Sequence, residues 1–433
     1  MLEFRPIGEL EYEYNADLGL SYASPVRGVW NIVHIGTLVP EAHEIFVCPT
    51  SCLRGVVLTT AEMGAMDRLS TITVGEDNIL EGDMEEALQR GTERIIAELP
   101  VRPRAMLIYT SCIHHFLAVN YQRVYRVLRE KYPDIDFIDC YMDPIMRRTA
   151  PAIPSLWRQI HRLLKPGRKV KNQANLVGNC FRYGEYCDLT VMLRQAGITV
   201  MDLNTCRTYD EFLRMAASEV NFTFHNTAVR AAKDMKLRLG QEWLPMRPGY
   251  DYDAIDEDMR AAADFFGIPG LSPEEIAEER RLTEKAAADT LALLEDTPVS
   301  IDYTAVDRPL ELALYLMDRG FNVESVFVDV FTEAREVFEA LQRRAPELKI
   351  YQSLGWNIRR MERGYPGKLL AVGQKSAYFK DTNFFVNIVE NDGMYGYRGI
   401  RRLMELMREA CEAEKPMREL VQIKGWGCGC SFS

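Results

Sequence analysis

Residues 104–139 read R-A-M-L-I-Y-T-S-C-I-H-H-F-L-A-V-N-Y-Q-R-V-Y-R-V-L-R-E-K-Y-P-D-I-D-F-I-D, and their pattern decides the fold class. The run from Arg104 to Thr110 is short and apolar, as a buried β-strand is. From Phe116 to Lys131 apolar residues recur at helical spacing, and Pro133 follows where a helix would stop. Residues 135–139 then begin a second strand. This order of strand, helix and strand indicates a βα unit of a parallel sheet.

The same alternation recurs twice along the chain. A basic linker at residues 165–171 precedes a second series of strand, helix and strand, at 174–178, 187–195 and 198–201. A third series begins at residue 299, with helices at 309–319 and 332–344 and strands at 322–328, 369–372 and 384–389. The sequence therefore predicts an α/β protein of three Rossmann-like, doubly wound parallel-sheet domains.

We predict domain boundaries at residues 1–168, 169–295 and 296–433. The segment 272–295 carries Glu, Arg and Lys on most faces of a predicted helix. Such a helix has no clear apolar stripe to bury, so we expect it to bridge domains.

Composition narrows the possible functions. The chain has 433 residues, 47% of them apolar, and a formal net charge of −11. No dense Lys/Arg block is present, so neither nucleic acid nor an anionic membrane is expected as a partner. The acidic N-terminus does not resemble a signal peptide, and no run of apolar residues is long enough to span a bilayer. We predict a cytoplasmic protein, in which the ten cysteines would stay reduced.

Three of these cysteines follow predicted strands. Cys48 and Cys52 come after the run Glu44–Val47, and Cys112 comes after the strand at 104–110. Ligands collect at the carboxyl ends of parallel strands, and a helix N-terminus there favours a thiolate over a thiol. The three thiols could anchor an iron–sulfur cluster, bind zinc together with His114 or His115, or be buried small residues.

Several motifs, taken in order, resemble the nitrogenase component 1 superfamily over most of residues 25–412. Cys52 is followed by a T-x-x-E-D-x-x-x-x-G stretch and an S/T-x-C loop, as in the first domain of that family. Two later segments resemble the start of its second domain and a loop of its third. The four segments after Cys52 are Thr73–Gly82, Tyr109–Cys112, Asn175–Asn179 with Arg182–Tyr186, and Asp392–Gly399.

The resemblance implies a three-domain subunit that pairs with another component 1-type subunit, as an α2β2 assembly, and holds an iron–sulfur cluster at their interface. A separate ATP-hydrolysing iron–sulfur reductase would supply single electrons. Cys52 and Cys112 match two cluster ligands of the family, and Cys48 is the third candidate. The cluster would be a four-iron type or an eight-iron type like the P-cluster.

The family's middle ligand would fall near Leu69 or Ser70, where this chain has no cysteine. Cys48 could replace it, or Ser70 or Asp67 could supply an oxygen. The C-terminal Cys428 and Cys430 alternate with glycines and are candidates for metal contact or for an unliganded tail.

Catalytic subunits of true nitrogenases also anchor a large metal cofactor through one Cys and one His. This chain has no Cys between Cys206 and Cys411 and no His after His225, and offers only Asn387 and Glu390 near the expected histidine. We therefore predict a β-type subunit that relays electrons, as in methylthio-alkane reductase, and not an α subunit.

Other functions remain open from sequence. A self-pairing tetrapyrrole-type reductase, such as a nickel-sirohydrochlorin reductive cyclase, and a cofactor-assembly scaffold are alternatives within the family. Outside it, the rival is a zinc-binding or metal-free α/β protein. The chain has no G-x-x-x-x-G-K-[ST] motif, so ATP hydrolysis is assigned to the partner reductase. The sequence identifies neither a substrate nor catalytic residues.

Overall fold

The computed structural model describes residues 3–12, 22, 24–26, 31–143 and 151–421. Fourteen strands lie within these residues. They are β1 Arg5–Pro6, β2 Ala42–Cys48, β3 Leu69–Thr73, β4 Ala105–Ser111, β5 Asp136–Met142, β6 Gln173–Leu176, β7 Thr199–Asp202, β8 Val220–Thr223, β9 Glu242–Pro245, β10 Val299–Asp302, β11 Val323–Phe327, β12 Lys349–Tyr351, β13 Leu370–Val372 and β14 Phe385–Val386.

Seventeen α-helices lie in the same ranges. They are α1 Ile32–Thr37, α2 Thr50–Glu62, α3 Glu76–Glu81, α4 Met84–Glu98, α5 Cys112–Phe116, α6 Tyr121–Lys131, α7 Ala152–His161, α8 Asp188–Gln195, α9 Tyr209–Leu213, α10 Val229–Leu239, α11 Tyr252–Phe266, α12 Pro273–Leu294, α13 Pro309–Asp318, α14 Arg335–Arg344, α15 Gln374–Lys380, α16 Gly396–Glu412 and α17 Met417–Leu420.

The chain folds into two compact units. One comprises Trp30–Cys180 and Gly197–Met246, and the other comprises Met1–Val29, Phe181–Ala196 and Arg247–Ser433. This grouping differs from the three consecutive domains that the sequence predicts. The first two sheets share a unit, and residues 181–196 and 247–295 belong with the third sheet.

The first unit contains two parallel four-stranded sheets, with strand orders β3-β2-β4-β5 and β7-β6-β8-β9. Alternate side chains of a strand point to opposite faces. On one face of the first sheet, Ile45 and Val47 pack with Leu88 of α4 and with Val124 and Leu128 of α6. Helices therefore cover the apolar face of the sheet, as crossover connections between parallel strands require.

The second unit contains a six-stranded sheet of order β1-β12-β11-β10-β13-β14. Strands β10 to β14 are parallel, and only β1 runs antiparallel at one edge. Chain order reverses between β10 and β13, which is the topological switch of a doubly wound sheet. The predicted α/β class with Rossmann-like parallel sheets is confirmed.

Helix α12, predicted to bridge domains, has a packing partner within its own compact unit. It lies within the second unit and packs along α16, where the Thr290 hydroxyl donates to the carbonyl of Met404 at 3.2 Å. Its buried stripe consists mostly of small residues, namely Thr283, Ala287, Thr290 and Leu294. Thr and Ala do not stand out as an apolar stripe in sequence, yet their small size lets two helices pack closely.

The N-terminus of α12 provides a first stability prediction. Ser272 accepts from the Glu275 N–H at 3.2 Å, and the Glu275 carboxylate accepts from the Ser272 N–H at 2.8 Å. This is a capping box. We expect Ser272→Ala to lower the free energy of unfolding of this unit by about 1 kcal/mol, measured by urea denaturation. Ser272→Asp keeps an acceptor and serves as the control; equal losses for both variants would contradict a capping role.

Among the helices that the structure describes, none combines the length and apolarity that crossing a membrane requires.

Candidate cluster site

Cys48 is the last residue of β2 and is fully buried. Its carbonyl accepts from the N–H of Val74 at 3.2 Å, and in the strand register it lies opposite Thr73. The thiol is therefore at the carboxyl edge of the first sheet, where β2 and β3 both end.

Cys52 lies in the first turn of α2, directly after that edge. Pro49 turns the chain from β2 into the helix, and its carbonyl accepts from the Cys52 N–H at 2.9 Å. Cys52 is exposed, in contrast to Cys48. The N-terminus of this thirteen-residue helix places unpaired N–H groups and the positive end of the helix dipole at this position.

Cys112 is the first residue of α5, immediately after β4, and is half-buried. Strands β2 and β4 are parallel neighbours, with Val47 opposite Thr110. Their ends therefore meet at the same edge, and the third thiol joins the first two from the adjacent strand.

The electrostatics show that the three thiols interact. The pKa of the Cys48 thiol is raised to about 12, chiefly by burial and to a smaller extent by the proximity of Cys52 and Cys112. Cys48 is thus a neutral thiol at neutral pH in the metal-free protein. A metal bound there has to displace its proton, so loading is coupled to proton release.

The three thiols do not surround a single ion. In the part of the chain that the structure describes, no three His, Cys, Asp or Glu side chains converge on one metal position. His114, a candidate zinc ligand, is buried with Nδ1 3.3 Å from the Ser111 hydroxyl, and burial lowers its pKa to about 4. A multi-iron cluster is wider than one ion and is held by thiolates, so the donor set fits such a cluster.

Comparison with known families then decides the identity. The family model described as "Nitrogenase component 1 type Oxidoreductase" matches residues 34–412. The chain belongs to this family. It is a nitrogenase-like oxidoreductase subunit, and the superfamily predicted from its sequence motifs is confirmed.

Solved structures with the same fold include component 1 proteins. The structure titled "Nitrogenase Cp1 at pH 6.5" matches with a TM-score of 0.64 and 13% identity, covering 94% of this chain and 95% of that one. "Nitrogenase Cp1 at pH 5" matches with a TM-score of 0.61 and 14% identity, covering 93% and 91%. No curated protein matches the sequence. At such low identity the structural likeness shows the fold alone.

Ser70 and Asp67, predicted as possible replacements for the component 1 middle ligand, are not brought to the thiols. Ser70 lies opposite Ile45, three register positions and roughly 10 Å from the level of Cys48. Its hydroxyl is 2.8 Å from Nε2 of His43. Asp67 lies before β3, at the opposite edge of the sheet. Asp67 precedes β3 and Ser70 lies near its amino end, whereas the three thiols lie at or just after the carboxyl ends of their strands, and we do not retain either residue as a ligand.

The other predicted sites are placed as follows. Cys428 and Cys430 lie outside the described residues. Asn387 is exposed and accepts from the Gln374 side chain at 2.8 Å. Cys187 is buried at the start of α8, where burial raises its pKa to about 12. It is a packed thiol.

Exposed apolar side chains near the thiols are a feature that the sequence did not reveal. Leu80 of α3 is 83% exposed, Phe116 is 69% exposed and Leu117 is 44% exposed. They lie on segments that follow β3 and β4 at the same sheet edge. The sequence predicted one helix from Phe116 to Lys131, but the chain breaks at Ala118, which has φ of 50°. That break leaves Phe116 and Leu117 outside α6.

Proposed function

We propose that this chain is the β-type subunit of an ATP-dependent nitrogenase-like reductase of the methylthio-alkane reductase kind. Cys48, Cys52 and Cys112 would bind an iron–sulfur cluster at the interface with a component 1-type partner. The observation that supports the proposal is that Cys48, Cys52 and Cys112 follow the carboxyl ends of the neighbouring strands β2 and β4 and are graded from buried to exposed. A cluster bound by these thiols would be partly buried in this chain and partly exposed, and a second subunit could cover the exposed side.

The surroundings of the thiols support an interface. Soluble proteins rarely expose large contiguous apolar surface without using it. Leu80 and Phe116 are exposed on the two segments that flank the thiols. A partner that covers this edge would bury these side chains and exclude water from the cluster. Both effects shape the potential of an iron–sulfur cluster.

The cluster, when bound, supplies storage for single low-potential electrons. The residues of this chain would provide the thiolate ligands. The positive end of α2 and an exposed Arg54, two residues after Cys52, would stabilise the negative charge there. The parallel strands of the third sheet and their loops offer no thiolate, since no Cys lies between Cys206 and Cys411. This supports a relay role, with the catalytic site in the partner subunit.

Anaerobic purification with iron and sulfide analysis tests the cluster. We expect a brown protein with several irons and equivalent sulfide per chain. A colourless protein, or one with zinc in place of iron, would contradict the proposal.

Reconstitution tests the relay role. The chain, a component 1-type partner and the ATP-hydrolysing reductase should together reduce a methylthio-alkane only with ATP present. Omitting each component in turn is the control. Turnover by this chain and the reductase without the partner would favour a self-pairing enzyme, and a cluster without any turnover would favour a scaffold.

A further inference from the structure

Glu44 is a buried carboxyl group in the middle of β2. It is 1% exposed, and neither of its carboxyl oxygens has a hydrogen-bond partner among the described residues. Buried polar groups are nearly always paired, and an unpaired one calls for a specific explanation. In the sequence Glu44 opens the run Glu44–Val47, whose other residues are apolar. This pattern does not indicate that its carboxyl group is buried without a partner.

The groups around Glu44 are almost all uncharged. A methyl group built on Gly36 of α1 would meet the Tyr109 hydroxyl at 2.4 Å and Oε1 of Glu44 at 2.7 Å, so both groups face this point of α1. Tyr109 itself donates to the carbonyl of Ile32 at 3.2 Å. Burial raises the pKa of Cys140 on β5, which also faces Glu44, well above its ordinary value. Neither neighbour compensates a carboxylate.

The histidines on the packed elements are neutral as well. Nδ1 of His34 on α1 accepts from the Asn31 N–H at 3.2 Å, so it carries no proton. Burial lowers the pKa of His161 on α7 to about 4, and that of His43 on the other face of β2 to about 4.

Arg68 is the one cation facing this group in the described structure. Its guanidinium donates to the backbone carbonyls of Ala42, Thr37 and Val39 instead of to the Glu44 oxygens. Burial outweighs its attraction and raises the pKa of Glu44 well above the usual carboxyl range. An unpaired, buried carboxyl group in this setting is therefore shifted towards its protonated form.

Glu44 shares a sheet face with Cys48. Alternate residues of a strand point the same way, so Glu44, Phe46 and Cys48 form one column along β2. The Phe46 ring stacks on Tyr109 at 4.2 Å between the two ends. Glu44 and Cys48 are four residue steps apart along the strand, roughly 13 Å, with a buried aromatic pair between them.

We propose that Glu44 is a proton-holding residue whose protonation is coupled to the redox state of a cluster bound at Cys48. The coupling rests on the proposed function, since it requires that cluster. When the reduced cluster passes its electron to the partner site, the carboxyl group loses its proton to solvent. When the cluster takes up an electron from the reductase, the carboxylate takes the proton back. A change in the charge of the cluster would therefore shift the fraction of Glu44 that holds a proton, by exchange with solvent.

The size of the coupling follows from Coulomb's law. One unit charge at about 13 Å, at an effective dielectric of about 20, shifts the titration of Glu44 by about one pH unit between redox states. Glu44 titrates at a lower pH with the cluster oxidised and at a higher pH with the cluster reduced. Between these two pH values the cluster potential becomes more negative as pH rises. Outside them Glu44 contributes no pH dependence.

Two measurements on the full-length protein test the proposal. The infrared spectrum of the metal-free chain should contain the carbonyl stretch of a protonated carboxylic acid at neutral pH, which Glu44→Gln removes. In the cluster-loaded protein, oxidised-minus-reduced infrared spectra near the upper titration point should show loss of that band on oxidation. Potentiometric titrations of the cluster at a series of pH values should show a potential that depends on pH over a range of about one pH unit in the wild type. Glu44→Gln should lack this pH-dependent range. Glu130→Gln, an exposed substitution on α6, is the matched control and should retain it.

The outcomes separate the two proposals. Absence of iron overturns the proposed function and the coupling with it. A bound cluster whose potential has the same pH dependence in the wild type and in Glu44→Gln overturns the coupling alone. Persistence of the protonated-acid band in Glu44→Gln overturns the assignment of the proton to Glu44.

Discussion

Replacing Cys112 with alanine should leave a folded protein that has lost its iron. The substitution removes a thiolate at the first residue of α5 and leaves only Cys48 and Cys52 at the sheet edge. Removing a residue that only hydrogen-bonds to a metal ligand costs roughly 10–100-fold in metal affinity. Removing a ligand itself should therefore cost at least as much. Iron and sulfide analysis, together with the cluster's electron paramagnetic resonance signal in the reduced state, measures the effect. Cys52→Ala and Cys48→Ala should behave alike.

Cys206 offers a matched control. It is half-buried in the same unit, and its thiol donates to the Asp202 carbonyl at 3.4 Å, away from the first sheet's carboxyl edge. Cys206→Ala should keep its full iron content. If Cys112→Ala were to retain as much iron as Cys206→Ala, the three-thiol site would be wrong. Iron loading should also weaken as pH falls, because the Cys48 proton must leave on binding.

Replacing Asp302 with alanine should strongly destabilise the unit that contains the six-stranded sheet. Asp302 ends β10 at the topological switch and is fully buried. Its carboxylate accepts from the N–H groups of Thr304 at 2.8 Å and Ser376 at 2.9 Å. The variant leaves three buried donors unpaired, namely the N–H groups of Thr304 and Ser376 and the Thr304 hydroxyl, and removes the negative charge near the buried ammonium group of Lys375. We expect a loss of about 3–5 kcal/mol in the free energy of unfolding.

Denaturant unfolding, followed by a probe in this unit, measures that loss, since a chain with two units need not unfold in one step. Asp318→Ala is the control. Asp318 forms an exposed ion pair with Arg344 at 3.2 Å, and its removal should cost less than about 1 kcal/mol. Similar losses of unfolding free energy in the two variants would mean that Asp302 does not stabilise the region where β10 and β13 end.

Much of the fold could be predicted because its signals are local. The apolar run at 104–110 became β4, and the run at 322–328 became β11 with one residue fewer at each end. The helix predicted at 309–319 is α13. Chain direction and strand ends then place Cys48 and Cys112 at one edge, so the core of the candidate site was predictable as well.

Other features depend on packing between distant segments. The stripe of small residues on α12 is buried against α16, so the packing partner of this helix could not be predicted from its own sequence. Ser70 is near the expected ligand position in sequence, but strand direction carries it to the other end of β3. The exposure of Phe116 and Leu80 likewise required the surrounding surface to be known.

The amino-acid sequence by itself determined the α/β class, the family and the three thiols, since hydrophobic periodicity and motif order are properties of the chain. Only the tertiary structure decided which groups lie together. It groups the three sheets into two compact units and places the Ser70 hydroxyl next to His43. It also leaves the Glu44 carboxyl group unpaired on the same face of β2 as Cys48. Burial and register set those relations, because the energy of a charged or polar side chain depends on neighbours that are remote in sequence.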